Sequence, residues 1–303
     1  MQFFLITFSR ILLILAFFVL GACASTPQKL TFTQDIDKVW ADEIIELAQD
    51  SYVYAQMSTN AYRDEYDGNY IENQSFNLGP KYKFIKTLSQ PNDKIGLAYH
   101  VYQKGNDENI EEIVLVFRGT EFTHLNDWIY GNIGTAQRNR AVNEAYENVK
   151  AAYPDVNRVV TSGHSLGGGL ATHVSLNRET VHNYVFNTSP RFSINEGCEN
   201  SQNYCANERH SIVEYGEINK LLRLLGREPT QTYTSINCWK GFKPLGDHTM
   251  AKLANCLTRI AAIGKNEAAK GANSSVLRNE LNKKQEGSSK SFGEQWVDAN
   301  NIN

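Results

Sequence analysis

The chain has 303 residues and a formal net charge of −3 at neutral pH, with a pI near 6.2. That length supports one sizeable core. With no basic block anywhere along it, the chain is not expected to bind nucleic acid, which needs clustered Lys and Arg against phosphate.

Residues 1–22 read as a leader rather than as part of the fold. Ile11–Leu20 is an apolar run behind Arg10. It is too short for a comfortable membrane span, which needs about 20 residues. It ends Leu20-Gly21-Ala22-Cys23, which resembles the lipobox of bacterial lipoproteins. The resemblance implies lipidation of Cys23, a membrane reached through that anchor, and a place in the bacterial cell envelope. Ala24 after the cysteine implies the outer membrane in a Gram-negative host. An ordinary secretory signal that contains a cysteine is the competing reading. Residues 23–36, with Pro27, are expected to be the lipidated N-terminus and a polar tether.

Four further cysteines remain: Cys198, Cys205, Cys238 and Cys256. An even number in an oxidising compartment suggests two disulfides. Of the three connectivities, Cys198–Cys205 with Cys238–Cys256 is expected, because each bridge then staples one neighbourhood. Neither pair has the C-x2-C spacing of a zinc knuckle.

The expected domain runs over 37–264. Helical spacing of apolar residues extends from Asp37 to about Tyr62. Two β-rich runs follow at Tyr82–Leu88 and Ile95–Tyr102, with hairpin chemistry at Lys104–Asn109. Ile113–Phe117 is continuously apolar, as a strand buried on both faces should be. Arg138–Ala152 reads as a helix, and Tyr184–Phe186 as another buried strand. Ser211–Tyr215 reads as a further strand and Met250–Ile263 as a helix. Strands alternating with helices predict an α/β fold, a mostly parallel central sheet flanked by helices. Residues 265–303 are polar and read as a C-terminal tail, with Phe292 and Trp296 as its aromatic exceptions.

The chemistry concentrates at Arg158–Ala171. A short apolar strand leads into Gly163-His164-Ser165-Leu166-Gly167, and a small-residue helix start follows. This is the order a nucleophile elbow requires. Ser165 would sit on a tight strand-to-helix turn, and the glycines two residues either side avoid clashes there. The helix N-terminus would face a developing oxyanion.

A serine nucleophile needs a base and an orienting carboxylate, in the chain order serine, acid, histidine. Four histidines follow Ser165. His173 lies within the elbow's own helix. His182 begins the next strand on the side away from the elbow. His210 precedes a strand at the wrong end. His248 lies on a loop after the last strands, where the base belongs. For the acid, Glu217 is at the C-terminal end of the Ser211–Tyr215 strand, where active-site loops gather. Glu214 within that strand and Asp247 beside His248 are the alternatives. The oxyanion hole should use the backbone N–H of Leu166 and one from Arg118-Gly119-Thr120, with Thr120 the candidate.

Val116–Thr120, Asp127-Trp128, Thr161–Gly168 and Asn187–Arg191 together resemble the successive motifs of the class 3 lipases, the fungal-lipase-like branch of the α/β-hydrolases. Tyr54–Tyr62 is similar to the entry helix of bacterial members. The resemblance covers about residues 80–260. It implies Ser165 as nucleophile, His248 as base, and Thr120 with Leu166 as oxyanion hole. It also implies a lid within Glu121–Gln137, where Phe122, Leu125, Trp128, Ile129 and Tyr130 could form an apolar cover. The family's acid is usually Asp, and Glu217 stands where it would align. The implied substrates are acyl esters of lipids, cleaved without metal or organic cofactor. An acyltransferase or thioesterase using the same triad is the alternative enzyme. A non-catalytic envelope lipoprotein on this fold is the alternative that is not an enzyme.

Overall fold

The computed structural model describes residues 30–32, 40–62, 75–90, 97–119, 135–178, 181–189, 207–217, 230–238, 248–264 and 266–273. The leader, Cys23, Thr120, most of the lid stretch, Cys198, Cys205, Asp247, Phe292 and Trp296 lie outside them.

Among the described residues eight strands form one sheet: β1 (Leu30–Phe32), β2 (Tyr82–Phe84), β3 (Tyr99–Asn106), β4 (Asn109–Phe117), β5 (Val159–His164), β6 (Val181–Phe186), β7 (Arg209–Glu214) and β8 (Thr232–Ile236). Their order across the sheet is β1-β8-β7-β6-β5-β4-β3-β2. The β2–β3 and β3–β4 pairs are antiparallel. From β4 outward to β1 every pair is parallel.

Among the described residues four long helices cover the sheet: α1 (Asp42–Asn60), α2 (Thr135–Ala152), α3 (Leu166–Asn177) and α4 (Met250–Ile263). The cover is two-sided, and β4 records it residue by residue. Ile113, Leu115 and Phe117 join the core formed with α2 and α3. Val114 and Val116 join the core formed with α1 and α4. Side chains alternate faces along a strand, so a strand covered on both sides must be apolar at every position. Together the parallel sheet, helices on both faces and the tight turn between β5 and α3 make an α/β-hydrolase fold.

Several elements differ from expectation. The strand expected at Tyr82–Leu88 ends at Phe84, and a single 3-10 turn follows at Lys86–Leu88. Leu30–Phe32, within the expected tether, pairs with β8 as an edge strand. The expected tail keeps a helix at 267–273, and Ala269 is fully buried in the α1–α4 core. Cys238 and Cys256 form the expected disulfide, tying the end of β8 to α4.

Candidate active site

Ser165 stands between the last residue of β5 and the first of α3, with φ 55° and ψ −122°. A non-glycine residue there is strained, and such strain persists only where the surroundings enforce it. The surroundings are tight. A Cβ on Gly163 would come 2.5 Å from the Gly167 carbonyl, and one on Gly167 would strike the Phe117 carbonyl oxygen. Both glycines of the motif are therefore required by space, because β4 presses directly against the turn. The Ser165 N–H donates to the Phe186 carbonyl (3.1 Å), and the Ser165 carbonyl accepts from the Ser189 N–H (3.0 Å). Leu166 opens α3 and is buried. The first N–H groups of a helix have no acceptor within it, so they can serve an outside oxygen.

His248 stands two residues before α4, and Glu217 follows β7 by three residues. Glu217 Oε2 lies 2.6 Å from His248 Nδ1. The two side chains are 0% and 1% exposed respectively. A carboxylate can only accept, so Nδ1 carries the proton in this pair. The neutral ring then presents Nε2 as its basic atom. Glu214 is also buried, but its Oε1 accepts the Cys238 N–H (2.9 Å) and so ties β7 to the end of β8.

The other histidines go elsewhere. His173 is buried on α3 and lies 3.3 Å from Asn143 Nδ2. His182 stands near the start of β6. His210 is within β7 rather than before it, because that strand begins at Arg209. Both of these contact Glu208 at the end of the sheet away from Ser165.

Three residues near Ser165 had no role in the sequence reading. Tyr62 Oη lies 2.8 Å from His164 Nδ1, and His164 Nε2 lies 2.7 Å from the His248 carbonyl oxygen. Asn187 has a positive φ of 41°. Its Nδ2 donates to the same His248 carbonyl (3.3 Å), and its Oδ1 accepts the Glu214 N–H (2.8 Å). The burial of His164, and His248 beside it, hold its ring well below the ordinary histidine pKa. Among the described residues, no group of three or more His, Cys, Asp or Glu could hold a metal ion. Nor is any described helix long and apolar enough to cross a membrane.

Residues 47–193 match the sequence model of the phospholipase-like family, described as the Tle-like phospholipase domain. The chain carries a lipase-type ester hydrolase domain. The match takes in most of α1 and the whole elbow, and it stops before Glu217 and His248. Among solved structures, the hydrolase is similar to the lipase of Rhizopus microsporus var. chinensis. The two are 15% identical, with 67% of this chain and 80% of that chain covered and a TM-score of 0.44. For lipase II from Rhizopus niveus the values are 17%, 57%, 74% and 0.41. For a thermostable esterase from Pseudomonas putida they are 11%, 81%, 92% and 0.34. At these scores the fold rests on the sheet order and the elbow, not on the neighbours. No curated protein matches the chain significantly.

Proposed function

We propose that the protein hydrolyses carboxylic esters of lipids, phospholipids first among them, through Ser165, His248 and Glu217. The observation that carries this reading is a strained serine and a buried acid–histidine pair at the same, C-terminal, ends of parallel strands. Ser165 Oγ attacks the acyl carbonyl as its proton passes to His248 Nε2. The tetrahedral oxyanion takes the N–H of Leu166 and that of Thr120. Collapse expels the alkoxide, which receives the proton from His248 and leaves an acyl ester on Ser165. Water then attacks that ester with His248 again as base, releasing the fatty acid and free enzyme. Glu217 keeps His248 in the Nδ1–H tautomer and faces the imidazolium when it forms.

The phospholipid preference rests on the family matched over 47–193. Lipidation at Cys23 and residence in the cell envelope belong to the same proposal, resting on Leu20–Cys23. The anchor would hold the enzyme at a lipid surface.

The test is the purified protein lacking residues 1–23, offered short-chain esters, triacylglycerols and phospholipids beside Ser165→Ala. Phospholipid cleavage that vanishes in the variant is expected. Equal cleavage by Ser165→Ala would reject the nucleophile. Turnover only with an added alcohol or thiol acceptor would move the assignment to acyl transfer.

A further inference from the structure

We infer that Tyr62 and His164 are positioning residues, forming one directed hydrogen-bond chain that ties the loop after β4 to the loop bearing His248, beneath Ser165. The inference rests on the reaction proposed for Ser165 and adds to it two residues that touch neither substrate nor the transferred proton.

The direction of the chain follows from which atoms own protons. The His248 carbonyl oxygen has none, so at 2.7 Å His164 Nε2 must be the donor. His164 is buried and held neutral, so its Nδ1 is a bare lone pair. Tyr62 O–H therefore donates to Nδ1 across 2.8 Å. The Tyr62 oxygen is left as an acceptor, and the Gly119 N–H donates to it at 3.1 Å. The chain reads Gly119 N–H to Tyr62 O–H to His164, then His164 N–H to the His248 carbonyl. Reversing any link would set two donors, or two acceptors, face to face.

The four members come from four separate places: the residue after the C-cap of α1, the end of β4, the end of β5, and the approach to α4. What they share is Ser165. His164 is its chain neighbour. Gly119 lies so close that an added Cβ would sit 3.2 Å from Ser165 Cβ and 2.6 Å from the His164 carbonyl oxygen, and would strike Tyr62 Oη. Gly119 also directly precedes Thr120, the residue proposed to supply an oxyanion N–H. The chain thus sets the spacing between the oxyanion side and the base side of the site. Asn187 Nδ2 adds a second donor to the His248 carbonyl. A misplacement near 1 Å of such groups is enough to cost about 100-fold in rate.

The experiment compares Tyr62→Phe, His164→Gln and the double variant with the parent enzyme on its best ester. Tyr62→Phe keeps the ring and removes the link. His164→Gln keeps a donor toward the His248 carbonyl and removes the ring Nδ1 that accepts from Tyr62. Each should lower kcat by about 10- to 100-fold with KM within about twofold. The double should be no worse than the weaker single, because one chain is broken once. Singles within about threefold of the parent, or losses that multiply, would overturn the inference. A nitrogen-15 NMR reading of parent histidines is the second arm, and it holds even where a variant does not fold. His164 should remain the Nε2–H tautomer from pH 5 to 9, and an Nδ1–H tautomer would overturn the chain. A parent inactive on every ester rejects the proposed function, and the positioning role with it. An active parent with unaffected variants rejects the positioning role alone.

Discussion

The two ends of the parallel sheet each carry a glutamate–histidine pair of nearly equal length. At the C-terminal end Glu217 meets His248 at 2.6 Å. At the N-terminal end Glu208 meets His210 at 2.7 Å and His182 at 3.3 Å. The first pair is sealed from solvent, whereas the Glu208 side chain is 51% exposed. Around the second pair, Arg158 binds the buried Glu112 (2.6 Å), Tyr54 donates to Glu112, and the rings of Tyr54, Tyr184 and His210 stack in turn. A cavity of about 820 Å³ opens beside it. The hydrogen bond from His210 draws the Glu208 carboxyl below its usual pKa, yet water screens that charge. A short acid–histidine distance is thus no signature of catalysis by itself. What sets the C-terminal end apart is dryness, which strengthens every electrostatic contact, and a strained serine on the same side.

The sharpest way to break this contrast is to neutralise both acids. Glu217→Gln should lower turnover about 10³- to 10⁴-fold, the scale known for losing the acid that sets a catalytic histidine's tautomer. Glu208→Gln should stay within about threefold, and steady-state kinetics on one ester compares the two. Next comes the disulfide, which belongs with the C-terminal end because it brackets His248 in sequence. Replacing Cys238 and Cys256 together by alanine opens a loop of 18-residue separation and should remove about 3 kcal/mol, measured by urea unfolding. Glycines extend the contrast. Gly167→Ala drives a methyl into the Phe117 carbonyl and should cost about 1–3 kcal/mol. Gly271→Ala, beside the cavity, has nothing within 4 Å of the added carbon and should change stability by less than about 1 kcal/mol. Urea midpoints for the two variants check both.

The smallest effect is a slope with pH. In the folded protein burial holds His164 well below the ordinary histidine value near 6.5. Below pH 6.5 the unfolded chain takes up that proton while the folded one does not. Stability from this group is therefore complete above that pH and falls as pH drops, by up to about 1.4 kcal/mol per unit. Unfolding at pH 5, 6 and 7 should show the slope, and His164→Gln should flatten it. Glu208 works in a lower window. Its lowered pKa contributes above 4.5 and is lost on acidification, weakly, because the group is half exposed.

Much of this was readable from residues alone where local pattern and tertiary demand agree. The Ile113–Phe117 run, the glycines around Ser165 and the periodicity of Met250–Ile263 each announce their element. Glu217 was reachable through topology, since the end of a parallel strand faces the site. Thr232–Ile236 was not, because Thr-Tyr-Thr-Ser-Ile is polar by composition and is buried only by the neighbours it pairs with. Tyr62 and His164 are 102 residues apart, and no local rule links a tyrosine past one helix to a histidine ending a distant strand. Asn187 lay in a motif, but its work depends on a positive φ and two partners that only the fold supplies.

The first and last long helices, α1 and α4, share one core, and edge strand β1 pairs with β8. During synthesis Ser165 leaves the ribosome more than eighty positions ahead of His248. Until α4 arrives, α1 lacks its helix partner on that face of the sheet, and Glu217 has no His248 to meet. Docking α4 against α1 then brings in His248, so a nascent or truncated chain carries the serine without its proposed base.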